Sequence, residues 1–229
     1  MSEELWTKSE QLWTAVDEYL AGRLIPADAT LTAAREANAE AKLPAIDVSP
    51  TQGKLLYLLA KIQGARRILE VGTLGGYSTI WLARALAEGG KLVTLEIEKR
   101  HAEVALENIK RAGVSGRVEL RLAPAAESLA ALVKEGAEPF DFIFIDADKP
   151  NNPVYLEWAL RMSRPGTIVV VDNVIREGAI VDAESKDASV LGTRRLFDLI
   201  AANPRLDATA LQTVGSKGYD GFVVARVVG

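Results

Sequence analysis

The chain has 229 residues, 48% of them hydrophobic and 25% charged, which suits one large buried core of ordinary globular composition. A net charge of −4 and a pI near 5.3 leave no electrostatic footprint for nucleic acid. The absence of cysteine excludes disulfides, zinc–thiolate sites and a cysteine nucleophile.

The first residues, Met1-Ser-Glu-Glu-Leu-Trp6, are acidic where a signal peptide would be basic and then apolar. No apolar run approaches the ~18 residues of a membrane span, so a soluble, cytoplasmic protein without membrane contact is expected. Residues 3–22 carry Leu5, Trp6, Leu12, Trp13, Val16, Tyr19 and Leu20 at helical spacing, with Gly22 as the stop. Such a helix serves as a lid or dimer surface, or is simply packed by its tryptophans, which is the plainer expectation. Residues 28–41, rich in alanine and glutamate, read as a second helix closed before Pro44. Ser49 is placed as an N-cap and Pro50 as the first residue of a third helix that runs to Gln63. That helix presents Leu55, Leu58, Leu59 and Ile62. Residues 1–64 thus read as a helical extension of one domain whose α/β core occupies 65–229.

From residue 66 strands and helices alternate. Strands are expected at 67–71, 91–96, 117–122, 140–145, 166–171, 206–214 and 222–227. Helices fall at 77–87, 99–112 (capped by Gly113), 125–134, 153–162 and 190–202, with a polar segment at 176–189 and a glycine-rich turn at 215–221. This alternation predicts an α/β fold: a doubly wound, mostly parallel, seven-stranded sheet, Rossmann-like, that binds ligands at the C-terminal ends of its strands.

Two of these strands end in charge. Phe140-Asp-Phe-Ile-Phe-Ile-Asp-Ala-Asp-Lys149 is an apolar run that breaks into Asp146, Asp148 and Lys149, and Thr167-Ile-Val-Val-Val-Asp-Asn173 ends in Asp172 and Asn173. Charge is costly to bury without a partner, so such ends mark a site. If the strands are parallel neighbours, Asp146, Asp172 and Asn173 meet at one edge. Three hard oxygen ligands beside Lys149 suggest a divalent-metal site with a base.

The turn after the first strand, Glu70-Val-Gly-Thr-Leu-Gly-Gly-Tyr-Ser78, lacks the dinucleotide spacing, since positions 74 and 77 hold Leu74 and Tyr77. No Gly-Lys-Ser/Thr ending makes it a phosphate loop. Glu70, two residues before Gly72, would repel a pyrophosphate and suit a cation or an amine. Glu96, closing the second strand, is placed to grip both hydroxyls of a ribose. The two acids together fit a ligand with a ribose, an ammonium and no phosphates, such as S-adenosylmethionine.

With these residues in view, the chain resembles the metal-dependent class I O-methyltransferases, the catechol and caffeoyl-CoA O-methyltransferase family. The resemblance runs from about Val48 to the C-terminus. It rests on Ile68-Leu-Glu-Val-Gly-Thr-Leu-Gly-Gly-Tyr-Ser78, Phe144-Ile-Asp-Ala-Asp-Lys149 and Val171-Asp-Asn173. It implies cofactor contacts at Val48, Glu70, Gly72, Thr73, Ser78, Glu96, Ala125 and Asp146. It also implies metal ligation by Asp146, Asp172 and Asn173, a base at Lys149, catalytic roles for Lys149 and Asp146, and a substrate contact at Asp148. The implied cofactors are S-adenosylmethionine and a divalent cation, Mg²⁺ first and Mn²⁺ or Ca²⁺ after it. The implied partners are a small phenol with vicinal hydroxyls and a second copy of the chain.

A phenol with a pKa of about 10 is mostly protonated near neutral pH, so a metal-bound vicinal diol and a nearby base suit the chemistry. The alternative acceptor is a hydroxylated tRNA base, which some bacterial relatives modify; a local patch of Arg194, Arg195 and Lys217 would meet its phosphates. The only histidine, His101, reads as a surface residue. Asp220 and Tyr219 either reach the substrate side or build a turn.

Overall fold

The computed structural model describes residues 3–229; Met1, Ser2 and the side chain of Leu5, which the sequence reading used, lie outside the described residues. Three helices come first: α1 (Glu3–Leu24), α2 (Ala29–Glu40) and α3 (Pro50–Gln63). The core then alternates β1 (Arg67–Val71), α4 (Tyr77–Ala85), β2 (Lys91–Glu96), α5 (Lys99–Arg111), β3 (Val118–Leu122), α6 (Ala125–Lys134) and β4 (Phe140–Ile145). It continues with α7 (Asn152–Arg161), β5 (Ser163–Asp172), α8 (Ala188–Ala202), β6 (Leu206–Gly215) and β7 (Gly218–Val227).

The seven strands lie in the order β3-β2-β1-β4-β5-β7-β6. The first five run parallel and β7 pairs antiparallel with both β5 and β6. The chain winds outward in both directions from β1 and β4, so the switch point falls between these two neighbours. Parity splits the core into two layers. Ile68, Phe142 and Phe144 pack with Leu56, Ile80 and Ile109 on one face. Leu69, Ile143 and Ile145 pack with Leu129, Leu156 and Leu196 on the other. Strand β4 is buried along its whole length, as expected of the centre of a parallel sheet covered on both faces.

Several expected boundaries shift. Gly22 does not stop α1, which continues to Leu24; a glycine inside a helix only weakens it. The last two strands are longer and their turn tighter, because Gly215 pairs with Gly218 across a two-residue hairpin loop. In α3 the buried residues are Gly53, Leu56 and Ala60, whereas Leu58 and Ile62 are 43% and 82% exposed. The apolar pattern had suggested a stripe through Leu58 and Ile62; the covered face is rotated from it. Ser49 and Pro50 behave as expected, the serine Oγ accepting from Gln52 N at 3.2 Å.

The helical extension is tied to the core by directional bonds. Asp28 caps α2 by accepting from the backbone of Thr30 and Leu31, and its second oxygen accepts from Arg84 of α4 at 2.6 Å. Asn108 of α5 donates to Asn38 Oδ1 at 3.1 Å and to the Gly75 carbonyl at 2.9 Å, joining α2, α5 and the glycine turn. Helix α1 lies on the terminal hairpin, with Trp6 edge-on to Trp13 and Tyr219, and Asp17 accepting from Ser216 N at 2.8 Å. The tryptophans therefore pack α1 down, while Leu12, Val16, Tyr19, Leu20 and Leu24 remain exposed.

One charge sits inside the apolar run of β4. Asp141 is buried and accepts from the backbone of Arg66 (2.8 Å) and Arg67 (2.9 Å) and from Arg164 Nη2 (2.6 Å). Burial alone would raise its carboxyl, but these hydrogen bonds and the Arg164 charge hold it below its ordinary value. The pairing register with β5 also breaks between Phe140 and Phe142. Replacing Asp141 with alanine should strand two backbone donors and cost about 2–4 kcal/mol, read as a lower urea midpoint at unchanged m. A loss under about 0.5 kcal/mol would show that the pairing contributes nothing to stability.

Candidate active site

A cleft of about 810 Å³ opens at the C-terminal ends of β1, β2 and β4. Its wall brings together Val48, Gly72, Thr73, Ser78, Glu96, Ala125, Asp146, Asp148, Lys149 and Asn173. These residues come from seven separate stretches of the chain, and nearly every site residue expected from the sequence is among them. Glu70 and Asp172 are not part of that wall.

Strands β1 and β4 meet closely here. Asp146 N donates to the Val71 carbonyl at 2.8 Å. A Cβ on Gly72, whose φ is +100°, would come within 2.1 Å of the Asp146 carbonyl. Only glycine fits that position, which explains the glycine two residues after Glu70.

Glu96 ends β2 at the rim of the sheet. Its Oε2 accepts from Leu74 N at 2.8 Å, and its Oε1 accepts from Ile97 N and Glu98 N, both at 2.9 Å. Three backbone donors fix a carboxylate that is nearly buried yet lines the cleft. His101 Nδ1 lies 3.5 Å from Glu96 Oε1 and also lines the cleft, so the histidine is not the simple surface residue that its charged neighbours suggested.

Glu70 lies behind the cleft wall. Its side chain is fully buried and accepts from Ser78 Oγ at 2.7 Å, Thr79 Oγ1 at 2.5 Å and Thr94 Oγ1 at 2.7 Å. It braces the glycine turn from beneath. The reason is strand parity: with Ile68 it points to a sheet face that α4 covers, not over the edge. Burial, partly opposed by the three hydroxyls, pushes its carboxyl up to about 7, and the charge of Asp146 adds to the rise.

The second cluster lies at the ends of β4 and β5, which are parallel neighbours with Ile145 opposite Val171. Asp172 is buried; its Oδ2 accepts from Gln52 Nε2 of α3 at 2.6 Å and its Oδ1 from Asn173 N at 2.8 Å. Burial and the nearby Asp146 charge push Asp172 up to about 7, with Lys149 pulling the other way. Lys149, itself buried, donates from Nζ to Asp146 Oδ1 at 2.7 Å. The turn that carries it is clamped by α8, where a Cβ on Gly192 would meet the Lys149 carbonyl at 2.4 Å. Asp148 is exposed and accepts from Tyr155 OH and from Asn151 Nδ2. Burial, and then the Asp148 charge, push the Tyr155 phenol upward.

Three participants were not selected from the sequence. Gln52 carried no signal, because its partner Asp172 is 120 residues away. Asp220 builds the turn: its Oδ1 accepts from the backbone of Ile175 (2.9 Å), Arg176 (3.1 Å) and Gly221 (2.9 Å). It thereby pins the segment after Asn173, where Asn173, Arg176 and Glu177 all have φ near +55°. Arg176 itself lines the cleft.

The sheet order, the antiparallel seventh strand and a cleft at the switch point define the Rossmann-like fold of the S-adenosylmethionine-dependent methyltransferases. Residues 25–227 match the family model described as O-methyltransferase, and the chain belongs to that family. An O-methyltransferase from Bacillus cereus, solved with SAH, is 61% identical and superposes with a TM-score of 0.94, covering 95% of this chain and 99% of that one. The Streptomyces achromogenes O-methyltransferase involved in tomaymycin synthesis, solved with SAM, is 48% identical with a TM-score of 0.93 over the whole of both chains. A Niastella koreensis protein named catechol O-methyltransferase is 52% identical over 96% of this chain and 99% of its own length.

Because Glu70 binds its proton more tightly folded than unfolded, its contribution to stability is full below about pH 4.5. It is lost as pH rises through about 7. A Glu70→Gln variant should therefore gain on the wild type by up to about 3 kcal/mol between pH 5 and 8 in urea titrations. Parallel stability curves for the two proteins would refute the buried titration.

Proposed function

We propose that this protein transfers a methyl group from S-adenosylmethionine to one hydroxyl of a vicinal dihydroxy aromatic small molecule, with a divalent cation held by Asp146, Asp172 and Asn173. The observation that carries the reading is one cleft with two unlike ends. At one end the carboxylate of Glu96, fixed by three backbone donors, lines the cleft, and at the other a cluster of hard oxygens stands beside Lys149. The SAH and SAM bound in the Bacillus and Streptomyces relatives support the cofactor, and the Niastella relative's name supports the acceptor.

The donor set fits a cation. Asp146 and Asp172 are close enough for one charge to raise the other's carboxyl, and Lys149 is the positive partner that opposes this rise. A hard divalent ion, Mg²⁺ in first place, relieves that excess through oxygen ligands, with Asn173 adding a neutral one. When bound, such an ion supplies Lewis acidity to the two oxygens of a vicinal diol.

The chain's own residues do the rest. Glu96, already fixed by three backbone donors, accepts from the ribose hydroxyls, and Val48, Gly72, Thr73, Ser78, Ala125 and Asp146 form the surrounding wall. Glu70 supports Ser78 from below. Lys149 receives the phenolic proton as a neutral amine, after the ammonium that donates to Asp146 has released one proton to solvent. The S–CH₃ bond breaks as the O–CH₃ bond forms, and the sulfonium leaves as a neutral thioether. Asp148 sits where it can meet the acceptor, although Tyr155 and Asn151 already occupy it. Holding sulfur, methyl and oxygen in line accounts for much of the rate. The extension and core act as one unit, because Gln52 of α3 holds Asp172. A second copy of the chain covers the exposed row Leu12, Val16, Tyr19, Leu20 and Leu24 of α1.

The deciding assay follows SAH formation with catechol, resorcinol, phenol and a tRNA transcript, each with Mg²⁺ or with a chelator. Turnover of catechol alone, and only with Mg²⁺, is expected. Equal rates on resorcinol, or rates untouched by the chelator, would sink the diol-and-metal reading. Glu96→Ala should weaken SAH binding by about 10- to 100-fold in calorimetry, the loss of charge-assisted hydrogen bonds. Wild-type affinity in that variant would remove Glu96 from the cofactor site.

A further inference from the structure

We infer that the preferred acceptor carries a carboxylate besides its two hydroxyls, and that Arg176 receives it. This refines the catechol reading and rests on it.

Arg176 lines the cleft together with Asn173, Tyr155 and Ser189, three residues past the proposed metal ligand. Its Nε is fully buried and has no hydrogen-bond partner. The ion pair that its guanidinium makes among the described residues is with Asp220 Oδ2, 3.7 Å from Nη1 and beyond hydrogen-bond reach. Asp220 is occupied elsewhere, its other oxygen accepting from three backbone N–H groups. A buried guanidinium donor without an acceptor is costly, and a ligand that supplies one removes the cost. Lys149, the other cation near this end of the cleft, is already engaged with Asp146 at 2.7 Å. Arg176 is the donor left idle.

The backbone bears out a dedicated position. Arg176 and Glu177 both adopt left-handed φ, 55° and 56°, which non-glycine residues rarely hold without compensation. The compensation is Asp220, which takes the amides of Ile175 and Arg176. The resulting turn keeps Arg176 half-buried at the cleft while the neighbouring Glu177 is exposed. Without it, nothing described would hold the arginine in the wall.

The chemistry selects a carboxylate. The Nε and Nη edge of a guanidinium offers two parallel donors that match the two coplanar oxygens of a carboxylate. A phosphate would bring a second negative charge into a cleft that Asp146 and Asp148 already line, against an arginine that already faces Asp220. A monoanion adds one charge beside the long ion pair of Arg176 with Asp220 and supplies the acceptor that Nε lacks.

The test compares kcat/KM for 3,4-dihydroxybenzoate, its methyl ester and catechol in the wild type, Arg176→Gln and Arg176→Lys. The wild type should favour the acid over the ester about tenfold or more, the expected worth of a charge-assisted pair. Arg176→Gln should bring that ratio near one, through KM and not kcat, since the contact is the same in ground and transition states. Arg176→Lys, which keeps the charge and loses the fork, should fall between. If the Gln variant loses turnover of every substrate, the Lys variant decides: a ratio cut threefold or more supports the assignment, and an unchanged ratio overturns it. No preference for the acid in the wild type also overturns it. Failure to turn over catechol at all would defeat the catechol reading itself, whereas catechol turnover without an acid preference defeats only this inference.

Discussion

Carboxylates crowded at one edge of a sheet repel one another and lose water, and the architecture around them is a set of different answers to that cost. Glu70 is wrapped in three hydroxyls, Glu96 in three amides, Asp146 meets an ammonium and Asp172 an amide side chain. The answers are not equivalent. Burial raises the Glu70 carboxyl and its three hydroxyls offset only part of that rise. The amides around Glu96 carry fixed dipoles and hold it in the wall of the cleft. Asp146 and Asp172 share one edge, where the charge of the first raises the carboxyl of the second and Lys149 opposes that rise.

Much of this order was legible from the residues alone. Seven strands and their helices follow from apolar runs and from capping residues such as Ser49, and Asp146 and Asp172 stand out because an apolar strand rarely ends in acid without purpose. What a one-dimensional pattern does not hold is direction. Glu70 and Glu96 look alike as acids near strand ends, but Glu96 is the last residue of its strand and reaches the rim. Glu70, one residue before the end of β1, turns toward the face beneath α4. The same limit applies to α3, where the helical repeat shows that a stripe exists without showing which side is covered.

Long-range partners were equally hidden. Gln52 and Asp172 are unremarkable singly and meet only after the sheet has formed. Asp220 reads as a turn-former, which it is, but the turn it stabilises belongs to another segment, Ile175–Arg176, brought alongside β7 by pairing of β5 with β7. Residues of this kind act through contacts that a sequence can only imply.

Helix α3 links these observations. Within six residues its first turn and the stretch before it supply a cleft wall at Val48, a cap at Ser49, the holder of Asp172 at Gln52 and, at Gly53, a surface against which Trp81 lies too closely for any side chain. The extension is therefore not a detachable module. Exchange of this segment for another would carry site geometry with it, because the holder of Asp172 and a wall of the cleft would go with the helix.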